Sequence, residues 1–152
     1  MSEIRVCYAS QLFGDPSFPA LCAAYESECA NAVLPTPRPD KAMYEALERL
    51  GRGQCFGAYV FDQLCGFAFV VTALASDYGF NYATVDRLFV LREARATGLG
   101  ALLMERLERH ARNAGCAGIS YSAPVGSQLA RLLFLSSDVY THTNYVFCRR
   151  LA

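Results

Sequence analysis

Hydrophobic and polar positions recur along the first third of the chain with the spacings of one strand and two helices. Alternation over residues 4–9 predicts an opening strand. A helical pattern over 15–33 follows it, and the three prolines of residues 34–40 predict a connector. A second helix is predicted over 41–50, with Asp40 in position to cap its N terminus.

The middle of the chain is a succession of apolar runs rich in β-branched and aromatic residues. The runs cover residues 54–61, 64–75 and 83–91, with turns over 62–63 and 76–82 between them. Since short turns join antiparallel neighbours, the runs predict three consecutive strands that lie side by side. Their nearly continuous apolar character indicates long, buried strands.

Helix and strand alternate in the remainder of the chain. We predict, in order, a leucine-rich helix, a strand, a shorter helix and a final strand, over residues 98–114, 116–123, 125–137 and 139–151. Because a helix connects 83–91 to 116–123, these two strands are expected to be parallel. The prediction is an α/β (α+β) fold with a central mixed sheet, in a single domain over 1–152, with the order β-α-α-β-β-β-α-β-α-β.

The charge balance argues against several kinds of function. The chain has 14 basic and 14 acidic residues, and zero net charge disfavours broad electrostatic capture of nucleic acid or of an anionic membrane. The first residues lack the pattern of a secretory signal, and no uninterrupted apolar run approaches membrane-spanning length. We therefore expect a cytoplasmic protein without nucleic acid or membrane partners.

The seven cysteines give no sign of disulfides or of a metal site. Their number is odd, no C-x-x-C pair occurs, and most lie inside apolar runs, at positions 7, 22, 29, 55, 65, 116 and 148. Disulfide frameworks and zinc sites need different spacings. We interpret the seven as buried thiols in a reducing compartment and expect no bound metal.

The most informative stretch is RLFVLREARATGLGALLMERL, in which a β-rich run turns directly into a helix through two glycines. The first N–H groups of a helix lack intrahelical partners, and the helix dipole adds partial positive charge. Gly98 and Gly100 keep side chains away from those groups, and Arg95 can add a charged donor. The stretch therefore predicts a site for an anion of pyrophosphate size at the start of the helix.

Two familiar phosphate-binding motifs do not fit this stretch. A P-loop needs a lysine and then Ser or Thr after its last glycine, and Ala101 follows Gly100 instead. A dinucleotide fingerprint needs a third glycine, where Met104 and its neighbours stand. A turn that merely connects strand and helix is the remaining alternative, and the coincidence of arginine, glycines and strand-to-helix switch disfavours it.

The stretch resembles the acyl-CoA-binding signature of the GNAT family of N-acetyltransferases. The family pattern is a strand ending in L-x-V, a short loop, and Arg/Gln-x-x-Gly-x-Gly/Ala at the start of a helix. Leu88 and Val90 match the strand end, and Arg95, Gly98 and Gly100 match the loop. The order of elements is also similar to the family across nearly the whole chain, which implies a GNAT-like fold and the use of acetyl-CoA.

The resemblance implies how the cofactor is held. The backbone of the strand end would bind the pantetheine arm like an added strand, and the helix start would bind the pyrophosphate through N–H groups. Ser127 stands where the family has an asparagine that touches the cofactor. The residues so assigned are Leu88, Phe89, Val90, Arg95, Ala96, Thr97, Gly98, Leu99, Gly100, Ala101 and Ser127.

Acetyl transfer to an amine needs a base for the amine, and the leaving thiolate is helped by an acid. Asp86 is the best-placed carboxylate, because it lies two residues before Leu88 and is expected to share that residue's strand face. Many members of the family that the chain resembles carry an acidic residue there. The structural alternatives for Asp86 are an ion pair with a nearby arginine and a position at an exposed strand edge.

The chain departs from the family pattern at the expected acid. Most members have a tyrosine on the helix after the second parallel strand, and Phe134 stands at that position and cannot donate a proton. Tyr140 is our candidate catalytic acid, with Tyr121 and Tyr145 as alternatives. The two histidines have no serine or cysteine partner at a diagnostic spacing, so a hydrolase triad has no support.

Two functions are consistent with the sequence. The first is an N-acetyltransferase that moves an acetyl group from acetyl-CoA to the primary amine of a small molecule or protein, by direct attack rather than through a cysteine intermediate. The second is a catalytically weak or inactive acyl-CoA-binding module, which the missing tyrosine favours. The identity of the acceptor is not readable, and a homodimer that pairs the final strand across a two-fold axis is a further hypothesis.

Overall fold

The computed structural model describes residues 1–30, 33–34 and 37–151. Strands β1 to β5 span Ser2–Cys7, Gly53–Val60, Gln63–Ala75, Phe80–Val90 and Gly118–Tyr121. Helices α1 to α5 span Ala9–Gly14, Phe18–Cys29, Lys41–Arg49, Leu99–Asn113 and Gln128–Leu135, and a 3-10 helix spans Arg92–Thr97.

The strands form one mixed sheet in the order β1-β2-β3-β4-β5. Neighbours are antiparallel up to β4, and β5 is parallel to β4. The predicted meander of three strands and the parallel crossover through α4 are therefore confirmed. The β2–β3 turn uses Phe61 and Asp62 at positive φ values of 48° and 65°, the signs that a two-residue hairpin turn of the right twist requires.

Helices cover both faces of the sheet. On one face, α4 packs Leu99, Leu103 and Leu107, all fully buried, into a cluster that we call the α4 face. On the other, α1, α2 and α3 pack around Phe67 and Phe69, and we call this cluster the α1–α3 face. Burial of one such side chain contributes about 1.5–3 kcal/mol, so packing on the sheet stabilises these helices more than local propensity does.

The helix predicted over 15–33 is present but shorter, as α2 over Phe18–Cys29. A short helix that the sequence pattern did not predict, α1, precedes it and ends before Asp15. Pro16 lies between the two helices and has no N–H with which to continue α1. Residues 31–32 of the predicted helix and 35–36 of the predicted connector lie outside the described residues. The cap predicted at Asp40 is confirmed, because its carboxylate accepts from the N–H of Met43 at 3.2 Å.

The strand predicted over 139–151 is wrong. Among the described residues, the stretch forms no regular element, and Tyr145, Val146 and Phe147 are 79–90% exposed. A β-prone sequence becomes a strand only when another strand lies beside it, and within the described chain β5 pairs with β4 alone. The strand predicted over 116–123 is confirmed but is shorter than predicted, since β5 contains only four residues.

The cysteines are not uniformly buried, so the prediction of seven buried thiols is only partly right. Cys7, Cys55 and Cys65 are buried, three others are half-buried, and Cys148 is exposed. No described cysteine forms a disulfide. Burial raises the pKa of Cys7 to about 11, which leaves its thiol protonated and unreactive at neutral pH.

Candidate active site

Glycine builds the turn between β4 and α4. After the 3-10 helix, Gly98 adopts φ 78° and ψ 6°, and α4 begins at Leu99. This left-handed conformation costs a residue with a side chain about 1–2 kcal/mol. Gly98 therefore turns the chain within one residue and places the start of α4 directly after the end of β4.

The N terminus of α4 is open. No described side chain caps it, and Ala96, Thr97 and Gly98 are exposed. A Cβ at Gly98 or at Gly100 would meet no neighbouring atom of the described chain within 4 Å, so there is room for a ligand over the first turn. Free N–H groups, the helix dipole and this room together fit an anion of the phosphate type. These residues thus fit the pyrophosphate of CoA.

Arg95 does not extend freely into this opening. Its Nε donates to the Val90 carbonyl at 2.9 Å, and its Nη2 donates to Glu28 at 2.5 Å. Its guanidinium carbon also lies 5.6 Å from the centre of the Phe89 ring. The sequence suggested a charged donor for the anion, whereas in the structure Arg95 ties the turn to β4 and α2 and so positions it.

β4 and β5 separate halfway along β4. Their parallel pairing runs from Tyr82 with Gly118 to Val85 with Tyr121 and ends there. β4 continues over 86–90 with β3 on its other side, so this part of β4 has one backbone edge without a β5 partner. Such an edge offers N–H and C=O groups to an extended ligand. The separation has the form of the wedge that the resemblance implied.

Only alternate residues of β4 face this open edge. The Leu91 N–H donates to the Cys65 carbonyl of β3 at 2.8 Å, and the alternation of an antiparallel ladder then directs the backbone of Phe89 to β3 as well. The Phe89 carbonyl lies 2.7 Å from the position that a Cβ on Gly66 of β3 would take, as this orientation requires. Phe89 therefore does not fit the predicted backbone contact with the cofactor.

Leu88 and Val90 face the open edge by the same alternation. The Val90 carbonyl already accepts a hydrogen bond from Arg95, so the backbone N–H is the group with which Val90 can bind a ligand. The side chain of Leu88 packs against the α4 face, so at the open edge only the backbone of Leu88 can contact a ligand. Of the three predicted residues, Leu88 fits the backbone contact best.

A β-bulge interrupts β4 beside this edge. The register with β3 shifts between Phe69 and Val70, and Asp86 is left without a residue opposite it. A bulge turns two consecutive side chains toward one face of a sheet. Here the two are Asp86 and Arg87, a charged pair in the middle of an apolar strand.

Asp86 and Arg87 both lie toward the α1–α3 face. Arg87 is opposite Phe69, and its guanidinium carbon is 5.9 Å from the centre of the Tyr25 ring. The two side chains form an ion pair at 3.2 Å, which neighbours in a regular strand would not form because they lie on opposite faces. Leu88 packs on the α4 face. The predicted shared face of Asp86 and Leu88 is therefore wrong, and the bulge is the reason.

Two buried hydrogen-bond donors lie near Asp86. Side chains of Asp86 and Arg87 are 42% and 30% exposed. Tyr44, which stacks on Phe69 with ring centres 3.9 Å apart, is 3% exposed. Its hydroxyl and the Arg87 Nε are buried without a hydrogen-bond partner among the described residues. Burial, followed by the charge of Asp86, raises the pKa of Tyr44, so this phenol stays a donor.

Tyr140 belongs to a second polar cluster, on the α4 face. Its hydroxyl donates to Glu108 at 2.5 Å, the Tyr121 hydroxyl donates to the same oxygen at 3.2 Å, and the two rings meet edge to face. Since Tyr121 pairs with Val85, this cluster stands where β4 and β5 separate. Burial, followed by the bond to Glu108, raises the pKa of Tyr140 to about 12. The phenol is therefore protonated at neutral pH, as an acid must be.

Ser127 and Phe134 have structural contacts on or beside α5. Ser127 caps the helix, because its Oγ accepts from the N–H of Ala130 at 3.1 Å, and its hydroxyl hydrogen remains a donor. Phe134 is 62% exposed and meets the His142 ring edge to face at 5.3 Å. Phe134 thus contributes no proton donor where the family has its tyrosine.

An open cavity of about 350 Å³ adjoins the bulge along β4. Thr84, two residues before Asp86, is opposite Val71, which packs on the α1–α3 face, so the cavity and the bulge share that face. A Cβ on Gly118 would lie 2.5 Å from the Tyr82 ring, so glycine at position 118 leaves the space that this ring occupies beside the cavity. The lining residues are Ala73, Leu74, Ala75, Ser76, Asp77, Tyr78, Tyr82 and Thr84.

Within residues 1–30, 33–34 and 37–151, no three metal-ligating side chains come together. No helix within those ranges has both the length and the apolar character needed to cross a membrane.

Sequence reasoning missed three residues of the candidate site. Arg87 and Tyr44 lie beside Asp86 only because of the bulge and the position of α3, and Glu108 reaches Tyr140 across the α4 face. One signal was present: an Asp-Arg pair in the interior of an apolar strand has no place on a regular buried strand.

An uncapped, glycine-led helix thus lies beside a strand whose edge is open, an arrangement that fits an acyl-CoA. A family model described as the acetyltransferase (GNAT) family matches residues 19–132. The chain therefore belongs to the GNAT acetyltransferase family, whose members transfer acyl groups. No curated protein matches the chain by sequence.

Solved structures share the fold at low sequence identity. A ribosomal-protein-alanine N-acetyltransferase from Brucella melitensis biovar Abortus is 18% identical with a TM-score of 0.73, and the match covers 99% of each chain. An aminoglycoside acetyltransferase from an uncultured soil metagenomic sample, in complex with sisomicin, is 17% identical with a TM-score of 0.71, over 99% of this chain and 95% of that one. AAC(6')-Iy, in complex with a bisubstrate analog containing CoA, is 16% identical with a TM-score of 0.70, over 100% of this chain and 99% of that one.

Proposed function

We propose that the protein is an acetyl-CoA-dependent N-acetyltransferase that acetylates a primary amine of a small molecule or protein. The observation that carries the proposal is one continuous site along β4: an open helix N terminus, an unpaired strand edge and, at the bulge, an exposed carboxylate. The names of the similar structures include a protein substrate and aminoglycosides, so acceptors of both sizes remain in the proposal.

The residues divide into those that hold the cofactor and those that move protons. The N–H groups from Ala96 to Ala101 would hold the pyrophosphate, and the backbone of Leu88 and the N–H of Val90 would hold the pantetheine arm. Bound acetyl-CoA supplies the acetyl group as a thioester. Asp86 would take the proton that the amine loses as its nitrogen bonds to the acetyl carbon. Tyr140, on the other face of the sheet where β4 and β5 separate, would supply the proton that the departing sulfur gains.

Direct attack by the amine fits the described cysteines better than a cysteine intermediate. Burial raises the pKa of Cys116, and a thiol that stays protonated is a poor nucleophile. Cys148 is exposed in the C-terminal stretch. We further propose a single domain over 1–152 in the cytoplasm, and a homodimer as an assembly to be tested by light scattering.

Two measurements test the proposal together. Acetyl-CoA should raise the melting temperature, since a ligand that binds only the folded state stabilises it, and a panel of amines should release free CoA from acetyl-CoA. Stabilisation without release from any amine would favour the alternative function, an acyl-CoA-binding module, which the absence of a hydroxyl at Phe134 supports. A chain that CoA does not stabilise would contradict both functions.

A further inference from the structure

The Asp86–Arg87 pair has a property that a base alone does not need. A carboxylate suffices to attract an amine, yet the bulge places a guanidinium at 3.2 Å from that carboxylate on the same face. A positive charge at this distance weakens attraction for an acceptor whose only charge is its ammonium group. The site therefore discriminates among amines by what else they carry.

The unused donors around Arg87 indicate what that second group is. The hydrogen bond and the ion pair described for Arg87 both run from Nη1 to Asp86. The buried Nε and the Tyr44 hydroxyl are donors without acceptors among the described residues. The Nη2 also has no hydrogen bond among the described residues, and the Arg87 side chain is 30% exposed, so a ligand's acceptor oxygen would meet the guanidinium at this place.

Together these contacts define a binding preference. We propose that Arg87 is a specificity-determining residue and that the acceptor is an α-amino acid whose carboxylate is free. The amine of this acceptor faces Asp86, and its carboxylate binds Arg87. This rests on the proposed acetyltransferase function. The ammonium and carboxylate of an α-amino acid are adjacent, as are the carboxylate and guanidinium of the protein, so each charge meets its opposite.

The adjoining cavity provides space for the amino acid's side chain. Thr84 leads from the bulge to Tyr82 and Tyr78, and Asp77 is the only ionisable group of the lining apart from the two tyrosine hydroxyls. Aromatic faces and a lack of basic groups fit an apolar, aromatic or cationic side chain better than an acidic one. Phenylalanine and lysine are therefore sensible first probes.

The experiment compares each common amino acid with the amine formed by its decarboxylation, as acceptors for acetyl-CoA. We expect kcat/KM to be at least about tenfold higher for the amino acid, and this preference to vanish in Arg87→Gln through loss of the amino acid rate, because one charge-assisted pair is removed. Arg87→Lys should restore part of the preference. Arg109→Gln, which removes a positive charge from the exposed surface of α4, should leave the preference unchanged.

A binding measurement keeps the inference independent of catalysis. With CoA present, calorimetric binding of the preferred amino acid should weaken about tenfold in Arg87→Gln, and less in Tyr44→Phe, which keeps the ring stacked on Phe69. If the decarboxylated amines are acetylated as well as or better than the amino acids, the inference is overturned and the acetyltransferase function stands. If no amine of either kind is acetylated, the proposed function itself fails, and the inference with it.

Discussion

The cofactor side and the acceptor side of β4 differ in the part of the chain that builds them. The proposed cofactor side consists of backbone: the N–H groups that follow Gly98 and the open edge at Leu88 and Val90. The acceptor side consists of side chains: Asp86 and Arg87 at the bulge and the phenol of Tyr44 beside them. Backbone sites depend on conformation alone, so many sequences can form them, whereas side-chain sites change with single substitutions.

The largest effect should come from the acceptor side. Asp86→Asn keeps the size of the side chain but removes the base, and kcat should fall by roughly 10²–10⁴-fold, the usual contribution of general acid–base catalysis. Calorimetric affinity for CoA should not change, because the cofactor side contains no carboxylate of this strand. Asp77→Asn, in the cavity lining, is the matched control. An Asp86→Asn variant with wild-type kcat would place the base elsewhere.

On the cofactor side, alanine substitutions at two glycines that lie two residues apart should have different effects. One should weaken CoA binding, and the other should raise stability. Gly98→Ala strains a left-handed residue, and the relaxed turn should bind CoA about tenfold more weakly, since the strain is about 1–2 kcal/mol. Gly100→Ala sits within α4, where alanine is favoured over glycine by about 0.5–1 kcal/mol, so it should raise stability.

Chemical denaturation and calorimetry on both variants separate these effects. Equal loss of CoA affinity in the two would mean that a methyl group, rather than backbone strain, blocks the anion. Retention of wild-type affinity in Gly98→Ala would contradict the proposed role of this turn.

Tyr140→Phe tests whether the second polar cluster takes part in catalysis. We expect kcat to fall about tenfold, less than for the base, because a thiolate leaves without full assistance. Tyr121→Phe removes the neighbouring hydroxyl, which shares Glu108 as its acceptor, and serves as the control. A larger loss in Tyr121→Phe than in Tyr140→Phe would exchange the assigned roles.

Tyr140 should also make the stability of the fold depend on pH. The pKa of Tyr140 is raised from 10 to about 12 in the folded protein, so the unfolded chain loses this proton first. The stabilising contribution is complete below pH 10 and is lost as the pH rises to 12. Melting temperatures should fall over this interval, and Tyr140→Phe should make the fall shallower. An identical fall in both proteins would show that other tyrosines account for it.

The smallest effect should come from the arginine that positions the glycine turn. Glu28→Gln removes the ion-pair partner of Arg95, whose side chain is 22% exposed, and should lower stability by less than about 1 kcal/mol. CoA affinity should fall only slightly. A clear gain in CoA affinity would show instead that Glu28 holds back a charge that the pyrophosphate attracts.

The cofactor side could be predicted from sequence because its cause is local. A glycine at the end of a β-rich run, followed by a leucine-rich helical pattern, produces the turn at Gly98 whatever surrounds it. The meander and the parallel crossover could be predicted for a similar reason, since short turns and a helical connection leave few ways to pair the strands.

The acceptor side could not be predicted because its causes lie far apart in the chain. The face on which Asp86 lies depends on the register of β4 against β3, and one extra residue reverses it. The bond of Tyr140 to Glu108 depends on where the chain runs after α5, which local propensity does not encode. The predicted final strand fails for the same reason, because it assumed a strand partner that the described residues do not provide.

The chain after β5 is only loosely attached to the rest of the domain. α5 contains no buried residue, whereas α4 has five, so opening of the segment beyond Pro124 exposes little apolar surface. Segments of this kind unfold locally at low free energy while the rest of a domain stays folded. A protease should therefore cleave this tail first and release a trimmed sheet with its glycine turn intact, and amide hydrogens of α5 should exchange long before those of α4.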